Sequence, residues 1–283
     1  MFILERKRPR GEREPNTTPD LMASSTEEHL TILIINPNSS ESITAGLRPL
    51  LANLTTQHVS LEFFTAPQDA PPSIDDEITS ALSTSVTLTA LRSVLRSDVE
   101  RLPPHRYSGY LVACFSPHPL TPRLRTETTV PVLNIFEAAL LHAKALAVPF
   151  GIVTTGQYWE AVLENGAREF FCGKEGIEAA VGQGGAGERA CNLAGFVGVR
   201  STGLTAVQLH MMKEEEVGHK IAEASAYLVE RGAEAIVLGC AGMSGMEKAV
   251  RAGAQRHQRD VRIIDGVRAG VVLLEGLVKA GSV

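Results

Sequence analysis

Two of the four cysteines in this 283-residue chain stand where a short apolar run ends. Cys114 follows YLVA, and Cys240 follows AIVLG and is succeeded at once by Ala241 and Gly242. Ligands of parallel α/β sheets bind beyond the carboxyl ends of the strands, so we expect both thiols at one rim. If residues 241–243 open a helix, their backbone N–H groups lower the thiol pKa toward neutrality. The pattern predicts two thiols that work as bases or nucleophiles.

The other two cysteines carry no comparable signal. Cys172 and Cys191 are interpreted as small buried hydrophobes, the usual state of an arbitrary cysteine. The four cysteines form no CxxC pair and have no histidine at metal-ligand spacing. The sequence therefore predicts no metal site and no disulfide framework, and four free thiols are expected.

Composition and charge exclude several classes of partner. The net charge is -5 and no basic stripe interrupts the body of the chain, which argues against a nucleic-acid surface. No apolar stretch approaches the roughly 20 residues of a membrane span, and no secretory apolar region precedes the first charges. We expect a cytoplasmic protein without a membrane or nucleic-acid partner, which binds a small-molecule substrate.

Strand-like and helix-like segments alternate after residue 28. The first half offers four short β-branched or apolar runs (LTILIIN, VSLEFF, GYLVACF and VPVLNIF), and the second half offers four more (FGIVTT, LAGFVGV, AEAIVLGCAGM and VRIID). Helical spacing of apolar residues separates most of them, including a predicted helix from about Met211 to Arg231. Such alternation predicts parallel strands with crossover helices. The expected fold is α/β, with two pseudo-symmetric Rossmann-like lobes whose parallel four-stranded sheets are flanked by helices.

The boundaries of the lobes follow from this repeat. Residues 1–28 are charged and lack apolar period, so a disordered tail is expected. Lobe 1 is assigned to 29–148 with Cys114, together with the C-terminal helix 267–283 if that helix packs there. Lobe 2 is assigned to 149–266 with Cys240. The Gly-rich GQGGAGE from Gly182 is interpreted as a surface loop inserted in lobe 2. The active site is expected in the cleft between the lobes.

Six segments together resemble a known family. INPNSS, ACFSPHPL, GIVTT, STGLTAVQL, VLGCAGM and IIDGV occur in the order found in the aspartate/glutamate/hydantoin racemase superfamily. The hydantoin and allantoin racemase branch, including fungal relatives linked by name to nitrogen catabolism, is most similar, from about residue 31 to the C-terminus. The resemblance implies two lobes, no cofactor and one cysteine from each lobe as acid and base. These are Cys114 and Cys240.

The resemblance also implies substrate-binding residues, which would donate hydrogen bonds to a developing enolate oxygen. They are Asn36, Ser40, Phe115, Thr154, Thr155, Ala241 and Gly242. Two local alternatives stand beside these roles. Asn36 could cap the turn before Pro37, and the two threonines could cap a helix.

One position departs from the family pattern. Bacterial members usually have an Asp three positions after the first cysteine, and this chain has Pro117 there, followed by His118. His118 is a possible auxiliary group beside Cys114, or alternatively a structural residue held between prolines.

The function implied is cofactor-independent racemisation of a hydantoin or ureide ring, such as allantoin or a 5-substituted hydantoin. Racemisation removes a proton from one face of a carbon and returns one to the other face, so two proton carriers suffice. The alternatives are a cysteine-dependent decarboxylase or cis-trans isomerase of the same superfamily, and a non-catalytic ureide-binding protein. A homo-oligomer is also expected, as in relatives.

Overall fold

The computed structural model describes residues 29–99, 106–182 and 195–281. The tail predicted for residues 1–28, most of the Gly-rich loop and Cys191 lie outside these ranges. Among the described residues, no helix is both long enough and apolar enough to cross a membrane.

The first half of the chain forms a parallel sheet in the order β2-β1-β3-β4. Its central strands are almost entirely buried, since helices cover both faces of a parallel sheet and leave β-branched runs no solvent side. The elements are β1 (Leu30–Asn36), α1 (Glu41–Leu51), β2 (Val59–Thr65), α2 (Glu77–Val99), β3 (Gly109–Val112), α3 (Leu120–Glu127), β4 (Val132–Asn134) and α4 (Ile135–Leu146).

The second half repeats this arrangement in the order β6-β5-β7-β8. The predicted fold of two four-stranded parallel sheets flanked by helices is therefore confirmed. Helix α5 is interrupted at Gly173, where φ is 70° and ψ is 163°. The elements are β5 (Phe150–Thr154), α5 (Tyr158–Gly182), β6 (Phe196–Ser201), α6 (Gln208–Met211), α7 (Glu214–Glu230), β7 (Ala235–Gly239), α8 (Glu247–Gln255), β8 (Arg262–Asp265) and α9 (Gly266–Lys279).

The fourth strand of each sheet runs directly into a helix that its last residue caps. The Asn134 side chain accepts a hydrogen bond from the Glu137 N–H, and Glu137 completes a capping box at α4. The Asp265 side chain accepts from the N–H groups of Val267 and Arg268 at the start of α9. The two halves thus share this side-chain helix cap as well as the order of their strands.

The C-terminal helix α9 packs on the first sheet. Gly270 lies so close to Leu111 of β3 that a Cβ there would overlap the Leu111 side chain. Leu274 covers Gly109, the first residue of the same strand, and a Cβ on Gly109 would lie 3.4 Å from the Leu274 side chain. We infer that α9 belongs with lobe 1, although it follows lobe 2 in the chain.

Two sequence-based expectations differ from the structure. The helix predicted from about Met211 to Arg231 is α7, which begins later than expected, at Glu214, because the chain leaves the short α6 after Met211. Four free thiols were expected, but Cys172 is disulfide-bonded. That prediction was wrong for Cys172, because sequence spacing does not show which cysteines the fold brings together.

The packing of α9 is testable with two glycines of the same helix. We expect Gly270→Ala to lower the free energy of unfolding by about 1–3 kcal/mol, since the added methyl group overlaps Leu111. Gly276→Ala, where nothing lies within 4 Å, should raise it by about 0.5–1 kcal/mol through the better helix propensity of alanine. Urea unfolding measures both. Equal effects of the two substitutions would contradict the close contact between α9 and β3.

Candidate functional site

The free thiols of Cys114 and Cys240 line one cavity between the two sheets. Cys114 follows β3 by two positions, and Cys240 directly follows β7, so equivalent strands of the two lobes carry them. The predicted convergence of both cysteines on one rim is therefore what the structure shows. The other lining residues are Asn38, Ile43, Ile74, Ala113, Phe115, Thr154, Thr155, Trp159, Ala206, Gly239, Ala241 and Gly242.

The cavity is small and its walls are largely apolar. Its volume of about 40 Å³ has room for about three waters. Ile43, Ile74, Phe115 and Trp159 supply the hydrophobic surface, and among the residues that the structure describes no Lys, Arg or His belongs to the lining. A ring of hydantoin size enters only if the cavity widens, so binding must move the loops that form it.

Burial in this cavity makes both thiols weak acids. It raises the pKa of Cys114 to about 12 and the pKa of Cys240 to about 11. Both side chains are therefore predominantly thiols near neutral pH. The sequence-based prediction of a lowered pKa was wrong, because desolvation by burial outweighs the backbone donors.

Those donors are nevertheless present at Cys240. Burial has the largest effect on the pKa of Cys240 and raises it. Hydrogen bonds from the N–H groups of Gly242 and Met243 act in the opposite direction and lower this pKa. Residues 241–243 form a single 3-10 turn with Cys240 at its N-cap, so the field of a full α-helix is missing. A Cβ on Gly242 would lie 3.0 Å from His210 Nε2, so a larger residue there would require the His210 side chain to shift.

Asn36, a predicted substrate-binding residue, organises the loop after β1 instead of lining the cavity. It is buried, and its Nδ2 donates to Asn38 Oδ1, the Ser40 carbonyl and Thr44 Oγ1 at 3.0–3.1 Å. Its Oδ1 accepts from the Asn38 N–H. Ser40 is the N-cap of α1, and its hydroxyl contacts Ser42 Oγ rather than the cavity.

Asn38 is the asparagine of this loop that does line the cavity. Its Oδ1 accepts from Asn36 Nδ2 and from the Ser40 N–H at 2.9 Å, which fixes the orientation of the amide. Its Nδ2 has no hydrogen-bond partner among the described residues, so this N–H₂ group is available to a ligand. The sequence NPN contains both asparagines, but only the loop geometry shows that Asn36 supports the loop and that Asn38 presents a donor to the cavity.

The other predicted binding residues fall into two groups. Thr154, Thr155, Phe115, Ala241 and Gly242 all line the cavity. The Thr154 hydroxyl donates to the Gly239 carbonyl at 3.2 Å, which ties β5 to β7. The Thr155 hydroxyl makes no hydrogen bond with the residues that the structure describes, and Phe115 packs edge-on against Phe136. Thr155 thus offers a free hydroxyl, while Phe115 offers a wall.

His118 is buried and does not belong to the cavity lining. Burial lowers its pKa to about 4, so the ring is neutral at physiological pH. Its Nδ1 accepts from the Leu120 N–H, and its Nε2 lies 3.4 Å from Ser83 Oγ. Ser83 in turn donates to the Pro37 carbonyl at 2.6 Å. His118 thus joins α2 and the loops after β1 and β3.

Three residues of the site escaped the sequence analysis. Trp159, the only tryptophan of the chain, lines the cavity from the start of α5. Ser116 contacts the sulfur of Cys114. Asp75, held by the Ser73 hydroxyl at 2.8 Å, adds its charge to burial in raising the pKa of both thiols. The serine two positions after Cys114 was the one local signal available, because the other two residues come from distant elements.

Metal binding finds no support in the part of the chain that the structure describes. No group of three or more His, Cys, Asp or Glu side chains lies together there in a way that could hold an ion.

Comparisons with known proteins agree with the geometry. The sequence profile described as Asp/Glu/hydantoin racemase matches residues 32–274. An uncharacterised protein of Schizosaccharomyces pombe is 34% identical over 88% of this chain and 92% of its own. A hydantoin racemase of Rhizobium meliloti is 30% identical over 88% of this chain and 89% of its own. The fold of an allantoin racemase from Klebsiella pneumoniae superposes with a TM-score of 0.68 at 23% identity, over 89% of each chain.

The effect of Asp75 on the thiols is open to a direct test. Asp75→Asn removes a negative charge, and we expect the pKa of both cysteines to fall because the thiolates lose a repulsive neighbour. Alkylation of Cys114 and of Cys240 near pH 9, followed by peptide mass spectrometry, should become about two- to tenfold faster. Asp69→Asn, an exposed carboxylate in the same loop, is the matched control. Unchanged rates in the Asp75 variant would show that its charge does not reach the cavity.

Proposed function

Since the profile match covers most of the sequence, the chain belongs to the Asp/Glu/hydantoin racemase family and is an isomerase, and we propose that it racemises a hydantoin or ureide ring without a cofactor. Allantoin and 5-substituted hydantoins are the substrates envisaged. The proposal includes the cytoplasmic location and the homo-oligomeric state expected from the sequence.

The observation that carries the proposal is the shared cavity of Cys114 and Cys240. The two thiols come from equivalent strands of different lobes. Burial is the main cause of the raised pKa of Cys114, and the charge of Cys240 raises it further, so the two sulfurs interact. The two directions of a racemisation are mirror images of each other. Two identical acid-base groups that face one small cavity suit such a reaction.

In the proposed reaction the thiolate of one cysteine removes the proton from the ring carbon next to a carbonyl. The thiol of the other cysteine then gives its proton to the opposite face of that carbon. The roles of Cys114 and Cys240 are reversed for the other enantiomer. Each turnover leaves the two protonation states exchanged, so one thiol must lose a proton to water and the other must gain one before the same enantiomer can react again.

Negative charge develops on the carbonyl oxygen during proton removal, and fixed donors stabilise it. Asn38 Nδ2 and the Thr155 hydroxyl line the cavity and have no partner among the described residues. Both are held by buried backbone around β1 and β5. We propose that they bind the carbonyl groups of the ring.

The charge of the site favours an uncharged substrate. Among the described residues, no basic side chain lines the cavity, and the negative charge of Asp75 acts on the thiols that face it. A free carboxylate, as in aspartate or glutamate, would be repelled there without a counter-ion. A neutral ring with N–H donors and apolar faces fits the walls of Ile43, Ile74 and Trp159. This is the reason to prefer a cyclic ureide over a free amino acid.

The rival reactions make different demands on the two cysteines. A decarboxylase or a cis-trans isomerase of the same superfamily requires one essential thiol, and a ureide-binding protein requires none. Both thiols are free and both face the cavity, which favours racemisation.

The test combines optical rotation with proton exchange. Wild-type protein in heavy water should abolish the rotation of allantoin or of a 5-substituted hydantoin and place deuterium on the ring carbon of either enantiomer. Cys114→Ser and Cys240→Ser should each lose racemisation by a factor of about 10³. Each variant should retain slow exchange for the enantiomer whose hydrogen faces the remaining thiol. Decarboxylation without exchange would contradict the proposal.

Binding can be followed separately in the same proteins. Since Trp159 is the only tryptophan and lines the cavity, its fluorescence should change when a ring enters. Both serine variants are expected to retain this change, because a hydroxyl replaces a thiol without closing the cavity. A fluorescence response in the wild type with no loss of optical rotation would identify a binding protein instead.

A further inference from the structure

The side chain of Ser116 lies beside Cys114 in the loop between β3 and α3. Its hydroxyl oxygen is 3.6 Å from Cys114 Sγ, in a hydrogen bond that either atom can donate. Ser116 is buried. Two backbone hydrogen bonds close the loop, from the Ser116 N–H to the Cys114 carbonyl at 3.1 Å and from the His118 N–H to the Ser116 carbonyl at 2.7 Å. The backbone therefore fixes the contact between hydroxyl and sulfur.

We propose that Ser116 is a positioning residue for Cys114, whose hydroxyl accepts a hydrogen bond from the thiol and donates one to the thiolate. The inference rests on the racemisation proposed above, in which Cys114 changes its protonation state in every turnover. A hydroxyl can serve both states because it carries one donor and two acceptor lone pairs. An ionised carboxylate only accepts, so it would favour the thiol alone.

The second cysteine has a different set of partners. The N–H groups of Gly242 and Met243 reach Cys240, and an N–H group can only donate. These donors favour the thiolate only, whereas the Ser116 hydroxyl can bond either form of Cys114 and lowers the pKa that burial has raised. Burial raises the pKa of Cys240 to about 11 and that of Cys114 to about 12, and the hydrogen bonds at each sulfur act against this rise. In the resting protein Cys240 ionises first, and Ser116 accepts from the Cys114 thiol.

His118, the other polar side chain nearby in this loop, is already engaged. Its Nδ1 accepts from the Leu120 N–H, and its Nε2 faces Ser83 Oγ, so the ring is held away from the sulfur by its own partners. Ser116 therefore fills the position of polar partner for which the sequence had offered His118.

The test measures each thiol by itself. Iodoacetamide is added to the wild type and to Ser116→Ala over a series of alkaline pH values, and the labelled cysteines are quantified by peptide mass spectrometry. In the wild type Cys240 should react before Cys114. Ser116→Ala should slow Cys114 relative to Cys240 by about tenfold, because the Cys114 thiolate loses its donor. The ratio of the Cys114 rate to the Cys240 rate removes the effect of how easily iodoacetamide enters the cavity, since both thiols face the same cavity.

Two further variants separate this role from a general loss of packing. Ser116→Thr keeps a hydroxyl and should restore the wild-type labelling ratio. Ser225→Ala removes another buried hydroxyl, one bonded to the Ile221 carbonyl in α7, and should leave the ratio unchanged. In a turnover assay Ser116→Ala should lower kcat about tenfold and change KM less than about twofold.

The outcomes distinguish the two proposals. An unchanged labelling ratio in Ser116→Ala would overturn the role of Ser116, whatever the activity of the variant. A shifted ratio together with no racemisation of any ring would leave the contact standing and overturn the proposed function. If Ser116→Ala does not fold, Ser116→Gly makes the same measurement, and an unchanged labelling ratio in that variant would overturn the role of Ser116.

Discussion

The structure depends on bringing two buried thiols from different sheets to one cavity. Each parallel sheet delivers its cysteine just beyond the carboxyl end of its third strand, and neither lobe alone encloses the space between them. Burial from both sides excludes water, which strengthens every electrostatic interaction with a bound ring. The same burial raises the pKa of both thiols well above its usual range. Reactivity therefore depends on the few polar atoms that face each sulfur.

Those polar atoms are arranged in layers around the thiols. Backbone N–H groups serve Cys240 and the Ser116 hydroxyl serves Cys114. Behind them, Asn36 fixes Asn38, while His118 joins helix α2 to the neighbouring loops. In the proposed racemisation, the different partners of the two sulfurs give a symmetrical reaction an asymmetrical resting state.

Much of this could be predicted from the sequence, because apolar runs fix where strands end. Cys114 and Cys240 were expected at one rim on that basis, and the repeated alternation predicted both sheets. The pattern could not distinguish Asn36 from Asn38, because the direction of a side chain in a loop depends on its hydrogen bonds. Nor could it give the sign of the thiol pKa shifts, since the extent of burial depends on tertiary packing. The disulfide of Cys172 was also outside its reach.

The central claim is that the sulfurs of Cys114 and Cys240 approach one carbon from opposite sides. A crystal structure of the protein with a 5-substituted hydantoin bound tests it most directly. The account predicts both Sγ atoms about 3.5 Å from the same ring carbon, one on each face. A ring that contacts only one of the two sulfurs, or that binds outside the cavity, would contradict it.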